Sequence, residues 1–148
     1  MKSIHTLLVL AATAVAAPIN APAADNPMTP GEWEISTQIE MTGSSYKIPP
    51  HTMRHCITAA DLAKSGGVPE PQSKGNTTCT MGDLKKSAQG VDWSMRCNGD
   101  ANVQMEGKIL YDSATQYHGT IRMKTSVQGH ASEMKQSLQA RRLGDCTK

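Results

Sequence analysis

From residue 31 onward the sequence alternates, and this alternation limits the fold more than any other feature. Trp33, Ile35, Thr37, Ile39 and Met41 share one side of a period-two pattern, against Glu34, Ser36, Gln38 and Glu40. Val103, Met105, Gly107, Ile109 and Tyr111 oppose Gln104, Glu106 and Lys108 in the same way. Tyr117, Gly119, Ile121, Met123, Thr125 and Val127 oppose His118, Thr120, Arg122, Lys124 and Ser126. Successive strand side chains point to opposite faces, so these segments read as antiparallel strands with one face on a core. A weaker strand over 134–142 keeps Met134, Leu138 and Ala140 in phase. Between the strands, residues 58–64 suit a helical turn with Thr58 as N-cap and the Asp61 carboxylate in the first turn. Residues 65–76, rich in Gly, Pro and polar side chains, read as an exposed loop.

Turn positions fix a register. If Cys79 lies across from Cys97, the turn falls at 86–90, Met81 faces Met95, and Asp83 faces Trp93. A turn at 98–102 sets Cys97 against Val103, Met95 against Met105 and Trp93 against Gly107. A turn at 112–116 sets Tyr111 against Tyr117, Ile109 against Gly119 and Met105 against Met123. A one-residue slip would scatter the apolar residues over both faces. Three expectations follow. A ring beside Gly107 covers the bare backbone and lets the sheet bend. Met81, Met95, Met105 and Met123 form a row across four strands, with Met53 and Met134 outside it. Asp83 would point inward beside Trp93 unless a bulge at Gly82 turns it out, and the bulge avoids burying a carboxylate.

The start of the chain bears on its location. Lys2 precedes an apolar run to Ala17, and Ala21 and Ala23 occupy the small-residue positions that a signal peptidase reads. Residues 1–23 therefore read as a secretory signal peptide and 24–148 as one β-rich domain, periplasmic or secreted. The apolar run is too short to span a bilayer comfortably, and no second one follows. An exported chain with four cysteines favours two disulfides. The register gives Cys79–Cys97 and leaves Cys56 for Cys146, a loop whose closure contributes roughly 4 kcal/mol on the chain-entropy model. Cys56–Cys79 with Cys97–Cys146 is the alternative.

Residues 30–34 read Pro-Gly-Glu-Trp-Glu, and His55-Cys56 stands just before the acidic helical turn. A Cys-bounded hairpin runs from Cys79 to Cys97, and the chain closes with Arg141-Arg142-Leu143-Gly144-Asp145-Cys146. In these motifs, over nearly all of 24–148, the sequence resembles the domain of unknown function 3617 family of small exported bacterial proteins. The resemblance implies a β-rich periplasmic or secreted protein and brings no activity or catalytic residue.

Composition narrows function by exclusion. Lys and Arg number 15 against 13 Asp and Glu, so neither nucleic acid nor an anionic membrane is attracted by charge. Aromatics make up 3%, with no Phe, too few for base-stacking platforms or aromatic cages. No nucleophile-elbow motif appears, and the acidic residues fall mostly at turns or on the polar face, so an enzyme is not expected. There is no C-x-x-C pair, and His51, His55 and Cys56 follow Pro49-Pro50 as an edge strand rather than a metal cluster. The 9 methionines stand out. In a chain without Phe they can serve as core filler. Together with Trp93 they can also line a pocket for an apolar ligand. Their thioethers suit copper(I) as well.

The fold expected is all-β: about seven antiparallel strands in meander order, a strongly curved sheet or partly closed barrel, one short helix and two disulfides. The function expected is a non-enzymatic module, without cofactor, that binds a small apolar ligand or an envelope partner. A structural or interaction protein with a fully packed core, and a Met-based copper(I) binder, are the alternatives.

Overall fold

A computed structural model describes residues 26–45 and 48–147. The signal-peptide assignment, 1–23, lies outside the described residues. Seven strands build one antiparallel sheet: β1 (Gly31–Met41), β2 (His51–Ile57), β3 (Thr78–Ser87), β4 (Gly90–Asn98), β5 (Asn102–Ser113), β6 (Gln116–Val127) and β7 (His130–Gly144). Their order is β2-β1-β7-β6-β5-β4-β3. Chain neighbours are therefore sheet neighbours except β2 and β3, which lie at opposite edges, and β7 returns to pair with β1. This is the wiring of an up-and-down barrel left unclosed along one seam.

The helix α1 (Ala59–Ser65) fills that seam at one end. Its Leu62 lies with Val68 in the same core cluster as Ile57 of β2 and Val91 of β4, and its Ser65 is buried as well. Lys86 Nζ on β3 donates to the last carbonyls of the helix, Ala63 O and Lys64 O. Tyr111 Oη on β5 donates to Gly66 O at 3.1 Å. Strands from both ends of the sheet thus touch one seven-residue helix, which requires the sheet to curl around it. The loop assignment for 65–76 needs correction at its start, because Ser65 and Val68 are buried. Ser65 Oγ donates to Val68 O at 2.5 Å, and this tight turn carries Val68 under the sheet.

Trp33 is wholly buried at the centre of the core, its ring 5.2 Å from that of Tyr117. Cys79 is joined to Cys97 across β3 and β4, and Cys56 of β2 to Cys146. No cysteine is left free.

Candidate functional site

The inner face is easiest to follow row by row, because directly paired residues on neighbouring strands share a side. Met81 pairs with Met95, Met95 with Met105, and Met105 with Met123. The row continues: Met123 pairs with Met134, and Met134 with Met41. Six methionines therefore stand side by side on β3, β4, β5, β6, β7 and β1. Met134, expected outside the row, belongs to it. It enters across the β6–β7 hairpin, where the Gln128-Gly129 turn sets Val127 against His130. Met41 enters through the β1–β7 pairing, which joins residues about a hundred positions apart with no turn between them. Met53 on β2 pairs with Ile35 and lies away from the row. At an inter-strand spacing of about 4.8 Å, six strands give a track about 24 Å long.

The row lies at the end of the core away from α1. The cystine Cys79–Cys97 borders it on one side, and Trp93, Gly107, Ile121, Gln136 and Ile39 border it on the other. Met95 is 9% exposed, Met81, Met105, Met123 and Met134 are half-buried, and Met41 at the rim is 38% exposed. Burial thus falls away toward β1. There β2 no longer covers the edge, and a mixed polar and apolar depression of about 940 Å³ opens among Gln38, Ile39, Glu40, Met41, Ser44 and Ile48.

Trp93 closes the deep side of the track. A Cβ built on Gly107 would collide with Cε2, Nε1 and Cζ2 of its indole, so the ring lies directly on the glycine. Asp83 does not face Trp93. The register shifts between Met81 and Leu84, Leu84 pairs with Trp93, and Asp83 is exposed with its N–H donating to Ser94 Oγ at 3.0 Å. The extra residue of this bulge turns the carboxylate out and leaves an apolar side chain against the indole. The indole N–H groups of Trp33 and Trp93 are buried and find no acceptor among the described residues.

The outer face carries a second, polar depression of about 450 Å³ that the strand pattern did not single out. His118 Nδ1 lies 2.8 and 2.9 Å from the two carboxylate oxygens of Asp112. Arg141 donates to Glu34 Oε1 from Nε at 2.9 Å and from Nη2 at 2.7 Å. Ser36 Oγ and Thr52 Oγ1 share a hydrogen bond of 2.9 Å. These charges are largely exposed, and pairs of this kind contribute about 0–1 kcal/mol each. Among the described residues no group of three or more His, Cys, Asp and Glu could hold a metal ion. Cys56, beside His55, is committed to its disulfide.

Away from both depressions, the two ends of the domain form a clasp. Arg142 Nε donates to Pro30 O at 2.9 Å while its guanidinium pairs with Asp145. Gly31 is bare where a Cβ would collide with Gly144 O and that guanidinium. The adjoining Cys146 ties the same end to β2.

One curled antiparallel sheet, seamed by a helix and held by two disulfides, defines a small disulfide-bonded β protein. The chain belongs to the family of proteins of unknown function DUF3617, whose model matches residues 28–146. No curated protein and no solved structure matches it. Its two disulfides are compatible with an oxidising extracellular compartment. Among the described residues no helix is long and apolar enough to cross a membrane.

Proposed function

We propose that the protein is an exported, non-enzymatic binding module that takes a small apolar ligand on its methionine row. One observation supports this above the rest: six unbranched thioether side chains form a continuous track, mostly half-buried, at the end of the core that α1 does not fill. Methionine has three flexible torsions and a polarizable sulfur, so such a surface adapts to apolar guests of varied shape. An envelope protein contributing an apolar side chain would use the same track. The signal-peptide pattern at 1–23 and the two disulfides support export.

The test uses the neutral apolar dye phenylnaphthylamine, whose emission rises on leaving water. Wild type and Met105→Leu are expected to bind it saturably and alike, whereas Met105→Glu and Met123→Glu weaken binding about tenfold or more. Such a loss corresponds to about 1.4 kcal/mol or more. Met53→Glu, off the row, leaves binding unchanged, and circular dichroism confirms that each variant is folded. No saturable binding by wild type, or equal binding by every variant, overturns the reading.

A further inference from the structure

All four cysteines are consumed in disulfides, so the protein's remaining soft donors are its thioethers. Six of its 9 methionines stand in one row. At the centre of the row, Met95, Met105 and Met123 occupy three consecutive strands in direct register. Directly opposed residues place their Cβ atoms about 4.5–5.5 Å apart, and the flexible methionine side chain can swing its sulfur sideways toward a neighbour. Met95 is 9% exposed and gives the group a dry floor, while half-buried Met105 and Met123 leave it an entrance.

We propose that Met95, Met105 and Met123 form a three-thioether site for a single copper(I) ion, with Met134 and Met41 continuing the track to the β1 rim. Thioethers select soft monovalent copper, whereas copper(II) prefers nitrogen and oxygen in tetragonal geometry. The ligands are neutral and carry no proton, so binding releases none and does not compete with acid as a histidine or thiolate site does. The site depends on sulfur rather than on apolar surface, and it can fail or stand independently of the apolar-ligand reading.

The experiment is an anaerobic copper(I) titration of the full chain against a colorimetric copper(I) chelator, with native mass spectrometry counting bound ions. One ion per chain is expected. Its affinity stays level from about pH 5.5 to 7.5, a range that spans the ordinary imidazole pKa. Met105→Leu combined with Met123→Leu keeps the surface apolar and weakens binding about tenfold or more, whereas Met53→Leu changes nothing. Equal affinity in wild type and the double-leucine variant overturns the site. So does an affinity that falls as imidazoles protonate, which would assign the ion to histidine rather than to the thioethers. The double-leucine variant also separates the two proposals, since it retains the dye and loses copper only if both hold.

Discussion

Gly107 shows how one absent side chain shapes the site. The Trp93 indole rests too close to leave room for a Cβ, and together they form the floor beside Met95 and Met105. Gly107→Ala must push the ring off the sheet, and overpacking of this kind costs about 1–3 kcal/mol, read as a lower urea midpoint. An unchanged midpoint would mean that the ring does not lie there. Tyr117 is constrained differently. Burial against the core pushes its hydroxyl from the ordinary 10.0 up to about 12, and burial also raises that of Tyr111. A raised folded-state pKa means that this contribution is fully present below pH 10 and is lost as pH climbs through 12. For Tyr117 it is about 2–3 kcal/mol. Urea midpoints should therefore fall over that window, with phenolate absorbance appearing late; a tyrosine titration entirely near 10 would contradict it. The residues that carried the family resemblance have a plainer role. Gly31, Trp33, Arg142, Asp145 and Cys146 build the core centre and the terminal clasp, so membership speaks to fold and leaves the methionine row to be argued from its own chemistry.

Among the elements, α1 depends most on its surroundings. A seven-residue helix is too short to persist by itself. It is held by a capping box, in which Thr58 Oγ1 accepts from Asp61 N at 3.2 Å and Asp61 Oδ2 accepts from Thr58 N at 2.8 Å. The Thr58 side-chain hydrogen bond, with its backbone bond second, holds the Asp61 carboxyl below its ordinary value of 3.8. A depressed pKa stabilises the folded form above the unfolded value, and that gain disappears as pH falls through the folded one. Thr58→Ala is expected to cost about 1 kcal/mol and to speed amide exchange in α1 before the strands; uniform loss of protection would count against a locally capped helix. Much of this level was legible beforehand. The cap was readable from Thr58 and Asp61, and the β4–β5 and β5–β6 registers from short turns that leave few ways to keep every apolar residue on one side. The bulge was readable as well, because an inward Asp83 has no partner. Met134 was within reach of the Gln128-Gly129 turn joining β6 to β7, but the weaker alternation of β7 masked its register. The β1–β7 register was not legible, since no turn links those strands, and this hid Met41 from the row. Nor was the burial of Val68, which arises only when the sheet curls over the segment following α1.

At the scale of the whole molecule, the unclosed seam explains the division of the inner face into two ends. Where β2 and β3 approach α1, the helix and Val68 fill the space with buried apolar side chains. Beyond the reach of β2, no helix among the described residues fills the interior, and methionines line it. Both free edges are blunted against pairing with another chain: β2 is seven residues long and follows Pro49-Pro50, and β3 carries the Gly82–Asp83 bulge with Lys85 and Lys86. That protection favours the inner track over strand addition as the place where something binds. The disulfides act at the same scale, one fixing the hairpin beside the row and the other tying β2 to the chain end across 90 positions. The binding track requires the six methionines to be neighbours in one order. Methyl-labelled methionine NMR measures that order directly through magnetisation transfer between adjacent methyl groups. The expected chain of contacts runs Met81, Met95, Met105, Met123, Met134, Met41, with Met53 apart from it. A break between Met123 and Met134, or Met53 within the series, would contradict the row.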